Sequence, residues 1–179
     1  MDTNAVIAVL PGLAALAVEP FDVESYEARC SKLDWEISRE SWWPNTCFRA
    51  WLSEAKFHFM AIFEEDETSA GLSIGAVGDH CEDPDFYVAD KEELDKVFSR
   101  VLQITVSTYG PPSETGQYQR EFESGLSQFA CWVYSQAFLL LIEHCQQEYS
   151  NDPSLEFRLI PRLGKDSPNV PFQTDLYLC

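Results

Sequence analysis

Between Asp90 and Tyr109 the chain carries one uninterrupted helical pattern, and on both sides of it the apolar residues follow the two-residue period of strands. Within the helical run Leu94, Val97, Phe98, Val101 and Leu102 share one face, Asp90 and Glu93 form a D-x-x-E capping box, and Glu92 stands four residues before Lys96. Gly110-Pro111-Pro112 ends it. Upstream, Trp35 and Ile37 alternate with Glu36 and Ser38, and 47–52 and 57–64 are extended runs rich in aromatic and branched residues. Trp42-Trp43-Pro44-Asn45 reads as a turn between two of these runs, and the polar tip from Glu64 to Gly71 joins 57–63 to 72–77 as a hairpin. Downstream, 129–134, 138–144 and 155–160 read as further strands. No β-α-β rhythm supports a doubly wound sheet. The expected fold is α+β: a single domain over 1–179, with an antiparallel sheet of about five to seven strands packed against helices.

Two helices are expected ahead of the strands. One lies near the start, broken or begun at Pro11-Gly12; the other runs from Val23 to Leu33, where Tyr26, Cys30 and Leu33 recur at helical spacing and Ser25 or Asp22 supplies the cap. The apolar stretch 5–18 contains an A-x-A form at Ala15-Leu16-Ala17, but residues 1–28 hold no Lys or Arg, so a secretory leader is not expected. The same stretch is too short to span a bilayer and is interrupted by Pro11-Gly12. Residues 164–179 are expected to form an irregular tail docked through Phe172, Leu176 and Tyr177. No internal repeat or low-complexity segment is visible.

Charge narrows the function classes. With 30 Asp and Glu against 12 Lys and Arg, the formal net charge is −18, which repels phosphate backbones and anionic lipid, so neither nucleic acid nor a membrane surface is an expected partner. The six cysteines show no C-x-x-C and no zinc-type spacing. A chain of 179 residues with 13% aromatics fills a core without staples, so reduced thiols and a cytoplasmic location are expected.

Candidate chemistry is sparse. Gly71-Leu72-Ser73-Ile74-Gly75 matches the G-x-S-x-G form of a serine-hydrolase elbow, with Ser73 as nucleophile and His80 or His144 as base, but no motif supports either histidine, and Gly78 and Pro84 prevent the helix that an elbow leads into. A small-residue strand is the stronger reading of that segment. His80 and Cys81 lie among Asp79, Glu82, Asp83 and Asp85, yet the spacing and the missing central glycine do not fit a calcium loop, and nothing supplies further zinc ligands. No P-loop or dinucleotide fingerprint is present. No metal and no cofactor are expected.

The least random feature is the placement of charge. Residues 57–90 contain no Lys or Arg, while Glu64, Glu65, Asp66, Glu67, Asp79, Glu82, Asp83, Asp85 and Asp90 all fall within them. Like charge concentrated on two loops serves solvation or a basic partner. Phe86 and Tyr87 beside the second loop, and Trp42 and Trp43 in the expected turn, add aromatic anchors that a binding surface would use and a core would use equally well.

Residues 90–163 resemble, in layout, the small acidic immunity proteins that accompany bacterial polymorphic and secretion-system toxins. The likeness is carried by the amphipathic helix ending in Tyr109-Gly110-Pro111, by Trp132 in a strand, by the FLLLIEH run and by the closing LEFRLIP run. It implies a cytoplasmic protein without enzymatic activity that binds a cognate toxin domain and blocks its active site or substrate access. It carries over no binding residue. The expected function is therefore an acidic inhibitor of a toxin with a basic cleft acting on nucleic acid or a nucleotide such as NAD, with partner-binding residues at Glu64–Glu67, Asp79, Glu82, Asp83, Asp85, Phe86, Tyr87, Trp42 and Trp43. A small serine hydrolase using Ser73 and an acidic mimic of nucleic acid are the alternatives; mimicry needs carboxylates spaced like phosphates along a surface, and here they cluster in loops.

Overall fold

A computed structural model describes residues 3–42, 45–52, 57–63, 68–74, 91–118, 126–144 and 154–162. Three helices come from the described residues: α1 (Thr3–Leu16), α2 (Val23–Lys32) and α3 (Lys91–Tyr109). Eight strands form one antiparallel sheet, one more than the expected range: β1 (Glu36–Trp42), β2 (Asn45–Leu52), β3 (Phe57–Phe63), β4 (Thr68–Ile74), β5 (Glu114–Tyr118), β6 (Ser127–Val133), β7 (Ala137–His144) and β8 (Ser154–Pro161). The α+β arrangement of the sequence reading is the one found. The tail 164–179 lies outside the described residues.

The helices form as their sequences direct. Asp22 caps α2, accepting a hydrogen bond of 2.8 Å from the Ser25 amide, and Glu24 in the first turn and Lys32 in the last complement the helix dipole. Helix α3 buries Leu94, Phe98, Val101 and Thr105 and stops at Gly110, whose φ of +82° is the left-handed cap conformation that a side chain would strain. The break expected at Pro11-Gly12 does not occur: α1 runs through Pro11. Pro11 and Ile7 both lie on the exposed side, so the Ile7 carbonyl left unpaired by the proline ring stays in reach of water. Gly12 is required for a different reason. A Cβ there would stand 2.7 Å from the Trp35 ring, so its absence lets α1 close on the start of β1.

One face of the sheet meets the helices. Val6, Leu10 and Leu13 of α1, Tyr26 of α2 and Phe98 of α3 join Phe48, Leu139, Leu141, Phe157 and Leu159 in the main core. Cys131, Phe138, Leu140 and Ile142 make a second cluster on the other face, so β6 and β7 are buried on both sides, and the unbroken apolar run of β7 follows from that. Trp132 ties the layers together: its indole N–H donates to the Gly110 carbonyl at 3.0 Å, and Tyr109 packs edge-on against its ring and bonds the Leu10 carbonyl of α1.

The strand order β1-β2-β3-β4-β8-β7-β6-β5 contains a repeat that the sequence does not display. Two helix-plus-four-strand meanders, α2-β1-β2-β3-β4 and α3-β5-β6-β7-β8, join through antiparallel pairing of their last strands, with Leu72 opposite Phe157 at the centre. Stepping outward along the registers, Ala50 of β2 corresponds to Ala130 of β6, and both are fully buried. Phe48, Ala61 and Ala70 of the first half correspond to Gln128, Glu143 and Leu155 of the second. An apolar row has thus become a polar one.

Candidate functional site

The strands that flank the acidic segments fix where those segments leave the sheet. Segment 64–67 lies between Phe63 and Thr68, the closing pair of the β3–β4 hairpin, and Trp42 pairs with Asn45 at the same end of the sheet. The hairpin connection is therefore shorter than the tip expected from Glu64 to Gly71, because Thr68–Gly71 already belong to β4. The expected turn also shrinks, since Trp42 and Asn45 are themselves strand residues.

Segment 75–90 starts from the opposite end of β4. Ile74 pairs with Leu155, and Leu155 pairs with Glu143, so Ile74 and Glu143 stand in one row two strand spacings apart, about 10 Å. On the far side of the segment, Lys91 begins α3, and its ammonium lies 2.7 Å from Glu143 Oε2. Both flanks of the segment that holds Asp79, Glu82, Asp83, Asp85 and Asp90 thus converge on one part of the sheet.

A polar cluster forms this neck. Glu143 is fully buried, placed on the helix-covered face by the alternation Leu139, Leu141, Glu143. Its Oε2 accepts from Lys91 Nζ and, at 2.8 Å, from the Gln128 amide; Gln128 Nε2 lies 3.3 Å from Oε1 and donates to Asp95 Oδ1 at 2.8 Å. Asp95 also pairs with Lys91 one turn along α3. The Tyr118 hydroxyl donates to the Glu143 carbonyl at 2.6 Å. Burial pushes the Glu143 carboxyl above its ordinary range, and the bonds from Lys91 and the Gln128 amide only partly offset that. Burial raises Asp95 too, but there the hydrogen bonds from Lys91 and Gln128 outweigh it and hold the carboxyl below its usual value. Lys91 is the first cation after the base-free interval, and its charge is engaged with Glu143 and Asp95. A shallow depression on the outer side of α3, lined by Glu92, Asp95, Lys96, Ser99, Arg100 and Gln103, adjoins this cluster.

Few of the residues expected from sequence fall within the described part of the chain. Trp42 is the last residue of β1. Ser73 lies in β4, opposite His58 on one side and Glu156 on the other. It is a ladder residue between two strands, whereas an elbow serine sits on a sharp strand-to-helix turn. Trp43, Glu64, Glu65, Asp66, Glu67, Asp79, His80, Glu82, Asp83, Asp85, Phe86 and Tyr87 lie outside the described residues. Among the described residues no group of three or more His, Cys, Asp or Glu is arranged to hold a metal ion, and no helix is long and apolar enough to cross a membrane. Sequence reasoning missed Glu143, Gln128, Asp95 and Lys91 as a unit. The available signal was a carboxylate at the core-facing position of an otherwise apolar strand. Comparison with protein-family models, curated proteins and solved structures gives no match.

Proposed function

We propose that the chain is a non-enzymatic acidic inhibitor, an immunity protein that binds a cognate bacterial toxin domain in the cytoplasm and covers a basic cleft acting on nucleic acid or a nucleotide such as NAD. The observation that carries this reading is the base-free interval 57–90 with its nine carboxylates, one part of which is flanked by Ile74 and Lys91, both held near Glu143. Carboxylate-rich segments steer a cationic partner by long-range attraction, and tightness then rests on a few anchors, for which Phe86 and Tyr87 are proposed beside segment 75–90, and Trp42 and Trp43 beside segment 64–67 at the opposite end of β4. Since Lys91 is engaged within the fold, the segment's negative charge is not offset by the nearest cation in sequence.

The test is capture of the toxin domain encoded beside this chain, followed by charge reversal at Glu65, Asp66, Asp83 and Asp85. Binding should weaken by tenfold or more, with a shallower dependence on salt. Capture that is unaffected by all four reversals in both affinity and salt dependence removes these segments from the interface.

A further inference from the structure

Helix α1 is apolar on two sides, and among the described residues only one of them is covered. Val6, Val9, Leu10, Leu13 and Leu16 lie in the main core. Ile7, Ala8, Pro11 and Ala15 are exposed on the opposite side, and Val18, just beyond the helix end, extends the same stripe; Ile7 is 52% and Val18 45% exposed. Charged residues make up 23% of the chain, yet residues 3–18 contain none, so the stripe is not the solvated face that an amphipathic helix turns to water. We propose that the outer face of α1 is the contact through which two copies of this chain associate, antiparallel about a twofold axis at Pro11. Such a pair forms whatever the acidic segments bind.

The placement of bulk along the helix fits a second copy. Ile7 and Ala15 each stand four residues from Pro11, so antiparallel packing about Pro11 sets the branched Ile7 of one copy against the small Ala15 of the other, and does so twice. Ala8 and Ala14, each three residues from Pro11, meet in the same register and let the two backbones approach. A parallel pair would instead set Ile7 on Ile7 and Ala15 on Ala15, and it would align the two helix dipoles unfavourably. Charge is kept out of the contact, since the nearest carboxylates, Asp2 and Glu19, stand at the two ends of the stripe. Other occupants fit less well. A helix lying on a membrane carries Lys or Arg beside its apolar face, and residues 1–28 have none; a basic partner gains nothing from a face without carboxylates. The contact is one short helix long, about 20 Å, and falls below the roughly 1,000 Å² of a stable interface, so the pair forms only at high concentration. Its flanks stay open, and the Ile7 carbonyl freed by Pro11 keeps its water at the rim.

The experiment is analytical ultracentrifugation of the free full-length chain over a range of concentration and salt. The wild type should sediment as a monomer near 10 μM and move toward a dimer near 1 mM, as an interface this small requires. Raising salt from about 0.05 M to about 0.5 M should tighten the pair several-fold, because it screens the repulsion between two chains of charge −18. Capture of a basic partner responds to salt with the opposite sign, so the two associations fail independently. Ile7→Lys and Ala15→Glu change exposed positions and should leave the melting temperature close to that of the wild type, while each variant alone stays monomeric at the highest concentration. An equimolar mixture of the two variants should dimerise again. The new ammonium of one chain then faces the new carboxylate of the other, while the second contact remains Ile7 on Ala15. A wild type that stays monomeric at the highest concentration and salt, a dimer that survives Ile7→Lys, or variants that fail to dimerise when mixed each overturns the proposal. So does a monomeric wild type that sediments with phosphatidylcholine vesicles, which assigns the face to lipid, or toxin capture that is lost on Ile7→Lys while no dimer forms, which assigns it to the toxin.

Discussion

At the scale of single residues, burial decides reactivity. Cys30 and Cys131 are free, fully buried thiols, one on the buried face of α2 and one on the face of the sheet away from the helices. Desolvation pushes each thiol up to about 12, partly countered at Cys30 by Arg29 and reinforced at Cys131 by Glu114. The thiolate is the reactive form, so alkylation of these two in the native protein at pH 8 should be slower by roughly a thousandfold than in denaturant. Peptide mapping by mass spectrometry checks this site by site; labelling of Cys30 or Cys131 at the denatured rate would show that the core opens freely around them. A glycine makes the complementary case. At Gly116 a Cβ would stand 2.8 Å from the Phe129 ring, so Gly116→Ala should force the ring aside and cost about 1–3 kcal/mol, read as a lower denaturation midpoint at unchanged slope.

At the scale of elements, the sequence announces a helix or strand wherever local chemistry and tertiary burial agree. Helix α2 and the face of α3 were legible because end signals and an apolar stripe coincide there, while the structure chooses Asp22 over Ser25 as the α2 cap. Replacing Asp22 by Ala should therefore destabilise the protein by about 1 kcal/mol, measurable by urea denaturation, and Asp22→Asn should restore most of it; equal losses in the two variants would mean that the cap bond contributes nothing. Strand β5 was not legible. Its sequence Glu-Thr-Gly-Gln-Tyr has no apolar alternation, because β5 is an edge strand with largely exposed side chains, and only its pairing with β6 makes it a strand. Pro11 misled in the opposite sense, since proline breaks a helix by propensity but is tolerated where water reaches the freed carbonyl. The neck cluster escaped notice because its members come from α3, β6 and β7, and only register brings Gln128 beside Glu143 and both beneath Lys91.

At the scale of the whole molecule, the repeated meander explains how strands on both sides of the long helix α3 join into one sheet. The sequence shows no repeat because corresponding positions share burial rather than identity: Ala50 and Ala130 match, while Phe48 and Ala61 face Gln128 and Glu143 across the comparison. Among the described residues the two halves meet within the sheet through β4 and β8, with Leu72 opposite Phe157, and α1 bridges them in the helical layer by contacting both α2 and α3. If each half were independently stable, loss of the seam would free one without the other. The core argues against that, since Phe48 and Ala50 of the first half and Leu139 and Phe157 of the second belong to one continuous cluster. Phe157 is 1% exposed and sits at the seam, so Phe157→Ala should cost about 3–5 kcal/mol, and the loss should appear equally in both halves. Native-state hydrogen exchange distinguishes the cases: amides of β2 and of β6 should lose protection by the same factor in the variant. Weakening confined to β5–β8, with β1–β4 left at wild-type protection, would mean that the sheet is two cooperative units that happen to be hydrogen-bonded.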